Sequence, residues 1–248
     1  MKKSQKILLA LSLFIALTLG VVPGAGAMHI MEGYLPVGYC ILWGVVSLPF
    51  LVMGWFSIKK TLAENRKSIT ILAMAGAFIF VISSLKIPSV TGSCSHMTGT
   101  GLGAILFGTG AVSILGAIVL IFQAILLAHG GLTSLGANIF SMAIAGPLVS
   151  VGIYWLSKRL KLNRHVGIFL AAAIGDLFTY CVTSLQLALA YPSAQGGIAA
   201  SAAKFLAVFA PTQVPLAIIE GILTVVIMIG LETYAKRELT DIGYLKVG

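Results

Sequence analysis

The stretch at residues 102–128, LGAILFGTGAVSILGAIVLIFQAILLA, decides the fold: it is apolar throughout, and whether it crosses a membrane once or twice fixes the face on which every later loop lies. Five further apolar runs surround it, near residues 38–57, 69–87, 134–157, 166–190 and 213–234, each about as long as the ~20 residues a membrane helix needs. Fifty-eight percent of the chain is hydrophobic and 9% charged, with a mean hydropathy of +1.04, which excludes a water-soluble fold. The expectation is all-α: one polytopic membrane helical bundle, without linkers or repeats.

The formal net charge of +9 would suggest nucleic acid in a soluble protein. Here the Lys and Arg residues sit in short clusters between apolar runs, so they report topology rather than a ligand, and no nucleic-acid partner is expected. Lys2, Lys3 and Lys6, then the apolar ILLALSLFIALTLGVV, then Ala25-Gly26-Ala27 form a leader with a small-x-small cleavage site, so residues 1–27 read as a cleavable signal peptide. A retained first helix is the rival reading, and Pro23 beside the site argues against it. Residues 28–248 then form a single integral-membrane domain, beginning MHIMEGYLP, with a formal charge of 9 − 3 = +6.

Cleavage places Met28 outside. The first span delivers Lys59, Lys60, Arg66 and Lys67 to the cytoplasm, and the second returns the chain near Pro88. A single crossing by 102–128 would put Lys158, Arg159, Lys161 and Arg164 outside, against the positive-inside tendency. The stretch is therefore expected to cross twice or re-enter, broken among Gly99, Gly101, Gly103, Gly108 and Gly110, although about 40 Å of helix is short for two full crossings. About seven helices result, some short, with the carboxyl terminus cytoplasmic and 11 of 13 mature basic residues on that side. Residues 197–211, ending at Pro211, read as a separate outer-face or re-entrant piece.

The same bookkeeping puts His29, His96 and His129 on the outer side and His165 inside. A free amine on Met28, the amide nitrogen of His29 and its imidazole Nδ1 can close two chelate rings in one plane. The amide must lose its proton, which Ni(II), Cu(II) or low-spin Co(II) can drive and tetrahedral Zn(II) serves poorly. His96 is the expected fourth donor, with Cys94 a softer rival; His129 and His165 read more simply as structural histidines. Glu32 is expected to buttress the terminal loop, or a histidine behind the metal ligands, rather than bind metal. Asp176 and Glu220 lie within predicted spans, where they must face protein or water, as part of a cation path or as helix ties to Thr179, Tyr180 or Asn138.

Cys40, Cys94 and Cys181 support no disulfide framework, and no CxxC is present. GTGTGLG lacks the strand and GK[ST] of a phosphate loop and reads as a packing surface; with no Walker A sequence, HExxH or GxSxG, the chain is not expected to be an enzyme, and any ATP-driven role needs partner subunits.

The segments MHIMEGYLP, GSCSHMTGTGLGAILFG, HGGLTSLGANIFSMAIAGP, GDLFTYCVTSLQLALA and PTQVPLAIIEGILT together resemble the CbiM/NikM family, the substrate-binding membrane component of cobalt and nickel energy-coupling-factor transporters. The likeness covers essentially the whole mature chain. It implies a seven-helix component that takes up Co(II) or Ni(II) as transported substrate, bound by Met28, His29 and His96, without an organic cofactor. It also implies a transmembrane coupling protein, cytoplasmic ATPase subunits and a small accessory membrane protein as partners in the cell membrane. MEGYLP is more similar to the cobalt branch, linked to cobalamin biosynthesis, than to the nickel branch, where PDG commonly follows MHI. A stand-alone outer-face metal sensor or chaperone is the alternative from another class.

Overall fold

In the computed structural model, residues 29–88 and 94–245 are described; the leader and Met28 lie outside the described residues. The chain forms α1 (Val37–Glu64), α2 (Ser68–Ser84), α3 (Thr100–Leu126), α4 (Leu135–Arg159), α5 (Arg164–Ala190), α6 (Gly197–Tyr234) and a short α7 (Lys236–Asp241). Five of these are long and apolar enough to span a membrane, and α2 is a shorter apolar helix. Two-residue strands, β1 (Ile87–Pro88) and β2 (Cys94–Ser95), pair antiparallel between α2 and α3. The chain is thus a multi-pass helical membrane protein.

The deciding stretch turns back on itself, as a re-entrant or twice-crossing segment would. At Gly108 the backbone leaves helical geometry (φ 77, ψ 173), a conformation essentially confined to glycine, and α3 folds back on itself. A Cβ built at Gly103 would meet Val112 at 3.0 Å, so the two limbs run side by side. Leu106 and Phe107 at the elbow line one cavity of about 280 Å³ with Thr61, Glu64, Thr240 and Asp241. The far end of α3 is pinned to the end of α2 by Gln123, which donates to Ser83 at 2.6 Å. Both ends of α3 therefore stand on the face away from Lys59–Lys67, and the elbow lies beside those cations.

The shortage of length is resolved ahead of the helix. Limb 100–107 is only about 12 Å long, against about 27 Å for limb 109–126, at ~1.5 Å per residue. Residues 95–98 are themselves buried in protein as extended chain, so the short limb starts below the rim of the bundle. Non-helical backbone is tolerated at such depth only where protein satisfies it.

One expectation is corrected. Residues 197–211 are not a separate piece: α6 runs unbroken for 38 residues through Pro211 and Pro215. A proline removes one N–H, and neighbouring groups can satisfy the freed carbonyls. The carbonyls freed here are those of Ala207 and Pro211; the turns beside them are tied by the Tyr180 hydroxyl, which donates to the Leu206 carbonyl, and by Thr212, which donates to the Phe209 carbonyl.

Apolar surface gives helices little reason to pair in lipid, so association rests on close packing and polar ties. The glycines read as a packing surface serve that purpose: a Cβ at Gly101 would lie 2.8 Å from the Ala172 Cα of α5, and one at Gly116 2.5 Å from the Ala143 Cβ of α4. At the basic end, Arg164 pairs with Glu232 at 2.9 Å, the Tyr154 and Tyr244 hydroxyls meet at 3.0 Å, and Lys158 lies 4.3 Å from the Tyr154 ring centroid. These contacts gather the ends of α4, α5, α6 and α7 on one side.

Candidate metal centre

Three segments far apart in sequence converge on the opposite side: the stretch before α1, the extended chain before α3, and the turn between α3 and α4. They bring His29, His96 and His129 together, with one ring nitrogen of each lying within 4.8 Å of the others. All three side chains are buried, at 2%, 0% and 2% exposure, so the cluster is dry rather than a solvated surface patch. No carboxylate belongs to it among the described residues.

Local structure explains how each histidine is held. The carbonyl of Ile30 accepts from Asn138 Nδ2 at 3.0 Å and from the Ser134 hydroxyl, while its N–H donates to Asn138 Oδ1 at 2.8 Å. Glu32 accepts from the backbone N–H groups of Leu132 and Thr133, which clips the 29–35 segment to the 130–138 turn. Those hydrogen bonds, from Thr133 first, hold its carboxyl below the usual range. Glu32 is thus the expected buttress of the terminal loop. Asn138 begins a π-helical stretch, Ile139–Ala145, whose wider turn carries Met142 beside His29.

Hydrogen bonding assigns one proton to each ring. His96 Nδ1 lies 2.8 Å from the Met97 carbonyl, which can only accept, so Nδ1 carries the hydrogen and Nε2 keeps its lone pair. That Nε2 is buried with no hydrogen-bond partner among the described residues. His29 Nε2 lies 3.1 Å from the Met142 thioether, also an acceptor, which leaves His29 Nδ1 to accept from His129 Nε2 at 3.0 Å. The Nδ1 of His129 is then a second buried lone pair without a partner.

Burial keeps the rings neutral. It pushes His96 down to about 4 and, with His96 and Lys86 nearby, His129 down to about 2. His29 lies well below its ordinary value because of burial first and the neighbouring imidazoles second. Neutral imidazoles with free lone pairs are what a transition metal requires of histidine.

The site departs from the sequence reading at His129 and at the two buried acids, and agrees with it at His165. His129, read as structural, joins His29 and His96; the only sequence signal for it was its placement on the same face. His165 stays apart, at the start of α5 on the basic side, where its N–H caps onto Asn163. Asp176 and Glu220 are buried ties, but to Gln213 and Thr98 rather than to Thr179, Tyr180 or Asn138: Gln213 donates to Asp176 at 2.6 Å, and the Thr98 N–H donates to Glu220 at 2.6 Å. Cys94 lies at the edge of the described chain, in β2, and its side chain is outside the described residues.

The fold and cluster define a class: a multi-pass membrane protein whose buried histidines can hold a transition metal. Residues 29–238 match a family described as the cobalt uptake substrate-specific transmembrane region, CbiM. The chain belongs to that family, a group of cobalt-transport components. It is 74% identical over 248 residues to a cobalt transport protein CbiM of Lachnoclostridium phytofermentans, spanning 100% of this chain and 99% of the relative. It is 54% identical over 238 residues to the CbiM protein of Nostoc, covering 96% and 91% of the two chains. A solved structure of a truncated transition metal transporter is similar in fold, with a TM-score of 0.74 at 28% identity over 83% of this chain and 99% of that one.

Proposed function

We propose that this chain is the substrate-binding component of an ATP-driven energy-coupling-factor transporter that captures Co(II) outside the cell membrane for cobalamin biosynthesis. The leader is removed before Met28, leaving one domain, 28–248, with its amino terminus outside and its carboxyl terminus cytoplasmic. The ion is held by the Met28 amine, the His29 amide nitrogen and Nδ1, and His96 Nε2. His129 walls the same pocket.

The observation that carries this reading is His96 Nε2, a lone pair buried in a cluster of imidazoles with no partner among the described residues. A buried polar atom left unpaired costs stability, and a metal ion would satisfy it. The tautomer of His29, with Nδ1 free of hydrogen, is also the one the terminal chelate uses. On this reading ATP hydrolysis falls to cytoplasmic ATPase partners, joined by a transmembrane coupling protein and a small accessory membrane protein; the lack of a Walker A sequence in this chain is consistent with that division. All-nitrogen donors also suit Ni(II), which binds more tightly than Co(II) at most such sites, so nickel uptake is the second reading.

The test is intact mass together with Co(II) and Ni(II) titration of the purified protein, beside a version carrying one extra residue before Met28. A mature mass starting at Met28, and one ion bound only without the extension, supports the chelate. Equal binding by both, or a retained leader, refutes it. Cobalt accumulation that requires the coupling and ATPase subunits distinguishes a transporter from a stand-alone sensor or chaperone.

A further inference from the structure

The extended residues 96–99 carry His96, yet they have no sheet of their own to satisfy their backbone. Helix α6 supplies the partners. Glu220 accepts from the Thr98 N–H at 2.6 Å and from the Thr98 hydroxyl at 3.0 Å. About two turns earlier, Gln213 Nε2 donates to the His96 carbonyl at 3.2 Å and to Asp176 Oδ2 at 2.6 Å. Asp176, on α5, lies near Glu220. Asp176, Gln213, Glu220 and Thr98 are each at most 1% exposed. Neither acid has a Lys or Arg within ion-pair range among the described residues.

Two carboxyl groups buried among spanning helices cost several kcal/mol unless their surroundings use them. If they served only to tie α5 to α6, their partners would lie on those two helices. Instead the hydrogen bonds of Glu220 go to the backbone that follows His96, and Gln213 joins the His96 carbonyl to Asp176. Gly99 holds its turn with φ +68, and a Cβ there would come within 3.2 Å of the Ile79 backbone, so the loop has little freedom to find other partners.

We propose that Glu220, Asp176 and Gln213 are positioning residues that seat His96 for metal binding: α6 and α5, not the loop itself, set where His96 Nε2 points. The inference rests on the proposed role of His96 as a ligand. The groups touch the loop backbone rather than the ion, so they act through His96 alone.

The test is a double-mutant cycle on the full chain with Met28 as its first residue. Ni(II) is the probe, and affinity and the visible absorption of the bound ion are read together. Glu220→Ala is expected to weaken binding by about 10- to 100-fold, the range for losing a group that orients a ligand. Its spectrum is expected to match that of His96→Ala, and the double variant should bind no worse than His96→Ala. Glu220→Gln keeps one acceptor for the Thr98 N–H and should recover part of the affinity together with the wild-type spectrum. Losses that add in the double variant, or a wild-type spectrum in Glu220→Ala, overturn the proposal. Should Glu220→Ala not fold, Gln213→Ala, which removes the donor shared by the His96 carbonyl and Asp176 and leaves the Glu220–Thr98 bonds in place, carries the same expectation and the same refutation. If His96→Ala itself binds like wild type, the ligand assignment fails first, which separates the two readings.

Discussion

Replacing Gly101 with alanine tests whether α5 holds the short limb of α3, and with it His96, in place. The new Cβ would lie 2.8 Å from the Ala172 Cα and 3.0 Å from its Cβ. Non-bonded carbons sit best at about 3.5–4.0 Å, so the limb must move away by about 0.7 Å. One opposing atom is helix backbone and the other is the Ala172 Cβ, fixed directly to it, so neither can turn aside. Overpacking of this kind costs about 1–3 kcal/mol. His96 lies five residues ahead, in an extended segment leading directly into the limb, so the shift reaches its imidazole. Metal–ligand distances hold to about 0.2 Å, and a displacement larger than that should reduce Co(II) or Ni(II) affinity by at least about tenfold. Thermal unfolding in detergent and titration of the same samples would read both effects. Gly152→Ala and Gly230→Ala, where nothing lies within 4 Å, are the controls and should leave binding unchanged with stability equal or higher. If Gly101→Ala unfolds and binds like the controls, the α3–α5 contact does not position the site.

Two further outcomes follow from the geometry of the cluster. His96 is held down to about 4 by burial, so its neutral form persists as pH falls through 6.5, where an exposed histidine gains its proton. Nitrogen NMR of labelled histidines should find it neutral at pH 5, and titration of His96 near pH 6.5 would refute its burial. Met142→Leu conserves volume and should cost less than about 1.5 kcal/mol in stability. It removes the acceptor of the His29 Nε2 hydrogen, so the fraction of His29 with a free Nδ1 should drop, with weaker metal binding and an altered imidazole spectrum; unchanged tautomer signals would show that the thioether does not select it.

The spans were legible because each writes its length into composition, and the reversal within 102–128 because charge and glycine spoke to the same stretch. Placing Lys158–Arg164 beside Lys59–Lys67 required an even number of crossings between them, and Gly108 supplied the bend. The continuity of α6 was not legible, since Pro211 reads as a stop wherever the packing around it is unknown; Tyr180, 26 residues away from Leu206, ties the preceding turn to α5. Likewise Glu220 and Thr98 are separated by 122 positions, and no periodicity links them. His29 and His96 could be singled out by the chemistry of a processed terminus and by a small-residue loop. His129 offered only its side of the membrane, because a histidine in AHGGLTS has the same local pattern whether it packs or binds.

Charge explains why the proposed chelate would need its amide nitrogen. The three imidazoles are neutral, Lys86 lies close enough to disfavour their protonation, and no acid joins them among the described residues. A dication moved from water into such a pocket would lose much of its hydration with only dipoles in return, at a cost that grows steeply as the local dielectric falls. Deprotonating the His29 amide places one negative charge at bonding distance and releases a proton to solvent. A carboxylate at the same spot would supply that charge permanently, but would hold the empty pocket open to water and to sodium or calcium, ions that favour oxygen. An anion that forms only when a sufficiently Lewis-acidic metal arrives makes selection part of binding. On that argument Mg(II) and Ca(II) should leave the site empty at any concentration near physiological, and tight binding of either would mean that the charge comes from a carboxylate and not from the amide.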